Sequence, residues 1–274
     1  MSEYGDGMAM LEGPTDPDSI ALEMGGGSIV AYTCRSPDKE TENEDTVAAI
    51  PFGPDAVILV VADGAGGLPA GRQASRTAVF KLAESLHAAM TEAMLLRTAI
   101  LNGIEAANQA VLGIGNDSAT TMTVVAIEGL ISRTYQVGDS EAIVVGQRGR
   151  VKSQTMAHSP TGFAVEAGFL DEREALHHED RHLVSNFVGM NDMRIDVASA
   201  VHLRPRDTVL LATDGLTDNI HFGEVVEIMR KGPLADAMKS MTRLARHRMT
   251  TASTLQPSKP DDLSVILFRK PYKG

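Results

Sequence analysis

The chain has 274 residues, 36 of them acidic and 25 basic, for a formal net charge of −11. That balance argues against nucleic acid or an anionic membrane surface as the main partner. The 43% of hydrophobic residues supplies a substantial core, and the single cysteine, Cys34, excludes an internal disulfide and fits a reducing compartment.

Residues 1–27 are rich in Gly, Asp, Glu and Pro, and are expected to form a flexible N-terminal arm. Residues 28–274 then read as one domain. The N-terminus lacks a secretory pattern, and no apolar run approaches the ~20 residues that span a bilayer. A cytoplasmic protein without membrane contact is the expectation. Residues 28–34 (SIVAYTC) predict a strand, and 35–45 (RSPDKETENED) a charged loop. TVAAIPF and AVILVVA, joined by GPD, predict a hairpin. Helical spacing from 71 to 112, through Ala74, Val79, Leu82, Leu86, Ile100, Ile104 and Val111, predicts two helices broken near Thr91 or Leu96. ATTMTVVAI, RTYQVGDSEAIVVGQ and RVKSQT read as strands of a meander. Segment 157–187 reads as a loop-and-helix insertion, 222–249 as helical, and TVLLATDG and DDLSVILFRK as strands. Strands in hairpins and helices in blocks predict an α+β protein with antiparallel sheets.

The strand AVILVVA ends on Asp63. A bare carboxylate at the end of a buried strand costs several kcal/mol unless a cation meets it. Asp63 therefore either caps a strand end or holds a cation. Other acids share its setting: Glu44 and Asp45 before a strand, Asp139 between strands, Asp214 and Asp218 after a strand, and Asp261 and Asp262 before the last. Where strand ends converge, these carboxylates converge and raise one another's pKa values, which a hard divalent cation such as Mg²⁺ or Mn²⁺ relieves. With no Cβ at Gly64, a backbone carbonyl can approach an ion closely. A DG pair is also a common turn signal, so spacing alone leaves both readings open.

Six motifs follow one another along the chain: Glu44-Asp45, ADGAGG at 62–67, SATTMT at 118–123, GDSE at 138–141, TDGLTD at 213–218 and PDDLS at 260–264. Taken in this order, they resemble the metal-dependent protein phosphatases of type 2C, in particular the bacterial serine/threonine branch. The resemblance implies a four-layer α-β-β-α sandwich with two central antiparallel β-sheets flanked by helices. It implies hydrolysis of phosphoserine and phosphothreonine in proteins by a water bridging two Mn²⁺ or Mg²⁺ ions. Asp63 and the Gly64 carbonyl match the bridging positions. Asp214 and Asp261 match first ligands, and Glu44 and Asp45 bind directly or through water. Asp139, together with Asp214, matches a third, weaker ion.

Three departures from the family pattern bear on the site. The arginine that grips phosphate is displaced: Arg35 is expected to fold back for that task, with Lys39 as the alternative. GDSR reads GDSE, and DN reads DD. Segment 157–187 matches the family's variable flap, with Glu166 the nearest acid for the third ion. His177, His178 and His182 lie there, the last two spaced to share a helix face, as a proton donor, a metal pair or solvated residues. The basic stretch RLARHRM reads as a solvated helix face, with docking of an acidic partner as the alternative. These departures leave one alternative, a catalytically weak pseudophosphatase acting as a phosphoprotein-binding or regulatory module.

Overall fold

The computed structural model describes residues 2–4, 7–65, 70–251 and 256–271, with backbone alone at 2–4 and 172. In chain order, strands β1 (Ser2–Tyr4), β2 (Met8–Leu11), β3 (Asp18–Met24), β4 (Gly27–Cys34), β5 (Thr46–Phe52), β6 (Ala56–Ala62) and β7 (Gly64–Ala65) come first. Helices α1 (Ala70–Thr91) and α2 (Leu96–Ile114) follow. Next come β8 (Ala119–Thr120), β9 (Met122–Glu128), β10 (Ile131–Val137), β11 (Glu141–Val145) and β12 (Val151–Gln154). The short helices α3 (Pro160–Glu166) and α4 (Glu172–Ala175) lead to β13 (Asp196–Val197), β14 (Val201–His202) and β15 (Thr208–Ala212). The chain closes with α5 (Asp214–Thr217), α6 (Phe222–Met229), α7 (Leu234–Thr250) and β16 (Leu263–Arg269).

Two antiparallel sheets organise these elements. The eight-stranded sheet runs β1-β2-β5-β6-β9-β10-β13, with β14 also on β10; the six-stranded sheet runs β12-β11-β15-β16-β4-β3. Alternation along β6 shows how they stack. Val57, Leu59 and Val61 pack between the sheets with Ile29, Val144, Leu211 and Phe268. Ile58, Val60 and Ala62 face the opposite way, against Leu82, Leu86 and Ile104 of α1 and α2. The unbroken apolar run of β6 follows from burial on both faces. On the far side, Leu210, Val265 and Leu267 pack against Met241 and Ala245 of α7. The result is the α-β-β-α order expected from the sequence. Among the described residues no helix is long and apolar enough to cross a membrane.

Two expectations are corrected. Residues 8–24 are not a loose arm: β2 pairs with β5, and β3 pairs with β4 over its whole length. Met8, Met10 and Leu11 are buried, and β3 alternates half-buried and exposed positions as an edge strand does. A polar, glycine-rich composition concealed two apolar faces. The strands from β9 to β12 also do not form one meander. β10 pairs with β9 in the first sheet, but β11 pairs with β12 and β15 in the second. The chain crosses from sheet to sheet at Gly138, Asp139 and Ser140. Gly138 has φ +104°, and a Cβ there would lie 2.6 Å from Thr121 Cβ, so a side chain does not fit this corner.

Register sends the acids to one end of the sandwich. Thr46 pairs with Ala62, which brings Asp45 beside Asp63. Ala212 pairs with Val265, which brings Asp214 beside Asp261 and Asp262. Glu141 opposite Ala212 and Met122 opposite Val137 place the Asp139 crossover at the same end.

Candidate metal and active site

Each acid is held by the strand ends that deliver it. The Asp63 amide donates to Thr121 Oγ1 (3.0 Å), and its carbonyl accepts from Thr120 Oγ1 and the Thr121 amide (both 2.8 Å). The buried Asp45 accepts from Thr213 Oγ1 at 3.0 Å through Oδ2. Asp262 is the hub of the neighbouring loop: Oδ1 takes the Ser36 amide (2.8 Å), and Oδ2 takes the Glu44 amide (2.8 Å) and Lys39 Nζ (2.7 Å). Lys39 Nζ also reaches Glu44 Oε2 at 2.5 Å. A second ammonium, Lys259 Nζ, lies 2.5 Å from Asp214 Oδ2, 3.0 Å from Asp218 Oδ2 and 3.1 Å from Asp261 Oδ2.

The electrostatics record the crowding. Burial first, then the charges of Asp45 and Asp214, pushes the Asp63 carboxyl well above the usual carboxylate range. Burial and then Asp262 do the same to Asp45; burial and then Asp214 do so to Asp139. Asp261 is pushed up to about 7 and Asp218 to about 6, in both cases by burial and then by Asp214. Burial opposes the charge on Lys259, yet Asp214, Asp218 and Asp261 together raise its pKa.

These residues fit a hard divalent cation. Glu44 Oε1, Asp45 Oδ1 and Asp214 Oδ1 are buried with no hydrogen-bond donor. Buried carboxylate oxygens left bare are costly, and an oxygen-seeking cation is the partner this chemistry calls for. A Cβ on Gly64 would lie 2.3 Å from the Gly71 carbonyl oxygen and 2.8 Å from that of Glu44, so this backbone accepts no side chain. Among the described residues no three acids or histidines close into a ready metal cage. Lys39 and Lys259 stand among the carboxylates instead.

The structure gathers Glu44, Asp45, Asp63, Asp139, Asp214 and Asp261, as the motifs led one to expect. It does not bring Arg35 to them. Arg35 donates to the carbonyls of Glu40 and Thr41 (both 3.3 Å), bracing its own loop. Lys39, the alternative candidate, is the residue that enters the site. Glu166 lines a groove of about 290 Å³ together with Asp139, Asp214 and Asp218. His178 and His182 do not share an α-helical face: α4 ends at Ala175, and His178 caps a separate 3₁₀ turn, Glu179–His182. With His177 they line a shallow cleft beside Lys259. The basic helix face is also not wholly solvated. Arg248 turns inward, donating to the Asn219 carbonyl (3.0 Å) and pairing with Glu224 (2.8 Å).

Residues that the motifs did not flag support the site. His158 is buried; its Nδ1 accepts from the Gly138 amide (3.1 Å) and Asn186 Nδ2 (2.8 Å), beside Asp139. Lys259 lies outside the quoted motifs, and its proximity to Asp261 was the one available signal.

A sandwich of this order, with acids gathered at one end, is the architecture of the type 2C phosphatases. Residues 37–260 match the family described as Protein phosphatase 2C. Protein phosphatase PhpP of Streptococcus pneumoniae is 30% identical over 217 residues, covering 76% of this chain and 87% of that protein. The serine/threonine phosphatase of S. agalactiae superposes with a TM-score of 0.73 at 24% identity, covering 92% of this chain and 99% of that one. The catalytic domain of the serine/threonine protein phosphatase PstP, in complex with two manganese ions, gives 0.66 at 22% identity, covering 88% and 96%. The chain belongs to the protein phosphatase 2C family, and it is accordingly a protein phosphatase.

Proposed function

We propose that this phosphatase hydrolyses phosphoserine and phosphothreonine monoesters in proteins with water activated at two divalent cations, Mn²⁺ or Mg²⁺. The observation that carries this reading is the set of bare buried oxygens on Glu44, Asp45 and Asp214, at the sandwich end that also presents Asp63. Asp63, Gly64, Asp214 and Asp261 would hold the ions, with Glu44 and Asp45 binding directly or through water. When bound, such a pair lowers the pKa of water and offsets charge on the phosphoryl oxygens.

The chain's own residues do the rest. The Thr120 and Thr121 bonds to the Asp63 backbone fix the angle at which its carboxylate leaves β6. Thr213 aims Asp45 so that Oδ1 stays bare. Lys39 joins Glu44 to Asp262 and brings positive charge to the rim, where an anionic phosphate would arrive. Cys34 is buried at the end of β4, and the proposed reaction needs no phosphoenzyme. The PstP complex with two manganese ions supports the ion count by likeness.

Phosphate release from a phosphothreonine peptide, with Mn²⁺ and with chelator, beside an Asp63→Asn variant, tests the reading. Turnover that requires Mn²⁺ and falls by about 10² or more in the variant is expected. Turnover that persists in chelator would sink it.

A further inference from the structure

The cleft beside Lys259 has no part in the two-ion reading. It encloses about 530 Å³, with His177, His178, Arg181 and His182 on one side and Ser258 and Lys259 on the other. Glu179 is the one acid that lines it. In a chain of net charge −11 this is a local excess of basic side chains. The cleft adjoins the acids described above: Arg181 also lines the groove that contains Asp139, Asp214 and Asp218.

The two cations of the cleft differ in what they already hold. Lys259 is matched by three carboxylates, so its charge is spent within the chain. Arg181 is not matched in this way. It is half-buried and pinned by two neutral groups, donating through Nη1 to the Leu176 carbonyl and through Nη2 to the Ser258 carbonyl (3.1 Å). Among the described residues no carboxylate stands within ion-pair distance of it. A guanidinium has five N–H donors, so these two bonds fix its orientation and leave donors over for an anion. His178 adds one more. Its Nδ1 accepts from the Asp180 amide (3.1 Å), which places the proton of the neutral ring on Nε2 as a donor. His182 spends its Nδ1 proton on the Glu179 carbonyl (2.8 Å). The fixed donors of the cleft are therefore Arg181 and His178.

We propose that this cleft receives an acidic side chain of the substrate, close in sequence to the phosphorylated residue, with Arg181 as the anchoring cation and His178 as a second donor. The phosphatase then selects phosphorylation sites set in acidic sequence, and Arg181 determines specificity without touching the reacting atoms. The inference rests on the proposed hydrolysis of phosphoproteins, and a ratio between two substrates separates the two.

The test compares kcat/KM with Mn²⁺ for phosphothreonine peptides that differ only in being flanked on both sides by glutamate, glutamine or lysine. Wild type is expected to favour the glutamate over the glutamine peptide by about 3- to 10-fold, as a partly exposed charge-assisted contact allows. Arg181→Gln is expected to abolish that preference and Arg181→Lys to keep part of it. Arg181 also braces its own segment, so two further variants alter the charge of the cleft at exposed side chains. His177→Glu is expected to lower the preference and Glu179→Gln to raise it, with circular dichroism checking that both fold. No difference between the glutamate and glutamine peptides in wild type, a preference for the lysine peptide, or a preference that His177→Glu and Glu179→Gln both leave unmoved overturns the proposal and leaves the two-ion reading intact. A wild type that hydrolyses none of the peptides overturns both.

Discussion

Thr213 Oγ1 donates to Asp45 Oδ2 at 3.0 Å, and so joins the end of one sheet to the start of a strand in the other. The same oxygen accepts the buried Ser264 amide at 3.1 Å. Thr213→Val keeps the shape and removes both bonds, leaving a buried carboxylate oxygen and a buried amide unmet. Each orphaned group costs about 1–3 kcal/mol. Denaturant unfolding of the metal-free variant should show a loss of that order. Mn²⁺ affinity should fall about 10- to 100-fold, as when a residue that orients a metal ligand is lost. Unchanged stability and affinity together would show that Thr213 does not aim Asp45.

Lys39 and Arg35 make opposite predictions. Lys39 bridges Glu44 and Asp262, whose side chain is only 4% exposed, whereas Arg35 bonds carbonyls of its own loop. Breaking a fully buried pair costs about 3–5 kcal/mol, and the partial exposure of Lys39 brings the expectation for Lys39→Ala to about 1–2 kcal/mol. Its KM for a phosphopeptide should rise several-fold, while Arg35→Ala should stay within about twofold of wild type. A larger KM effect at Arg35 would restore it as the phosphate grip.

The raised carboxyl groups set the pH dependence of the metal-free protein. Asp261 titrates at about 7 and Asp218 at about 6 in the fold, both above their ordinary value of 3.8. A carboxyl with a raised folded pKa binds more protons folded than unfolded, so stability falls as pH rises between the two values. In chelator, the melting temperature should therefore decline from pH 5 through pH 7. With excess Mn²⁺ the decline should vanish or reverse, because the ions compete with protons for the same oxygens. A melting temperature in chelator that rises over this interval would refute the crowding described here.

Much of this was legible in the chain because its signals are local. β6 announces itself as an apolar run, and each acid adjoins such a run, so register alone carries Asp45, Asp63, Asp214 and Asp261 to one end. What was not legible depends on distant partners. The strands within 8–24 are defined by β4 and β5, not by their own composition. The turn at Gly138 looks like a hairpin until β15 claims β11. By its chemistry Arg35 is the better phosphate grip, but the Asp262 carboxylate, more than two hundred residues away, draws in Lys39. Arg248 reads as a surface charge because Glu224 and Asn219 lie a helix away.

His158 supplies the last prediction. Its Nδ1 accepts from the Gly138 amide and from Asn186 Nδ2, and its Nε2 faces Asp196 Oδ2 at 3.1 Å. The buried ring thus ties the segment before α3 to the corner where the chain changes sheets, one residue before Asp139. His158→Phe fills the space but offers no acceptor, so the Gly138 amide loses its partner, at about 1–3 kcal/mol, while Asn186 Nδ2 keeps the Arg194 carbonyl. His158→Asn can return an oxygen near the Nδ1 position. The phenylalanine variant should therefore be less stable than the asparagine variant and should lose at least tenfold in Mn²⁺-dependent turnover, with the asparagine variant in between. Equal losses in the two would mean that ring volume, and not the acceptor at Nδ1, holds the corner in place.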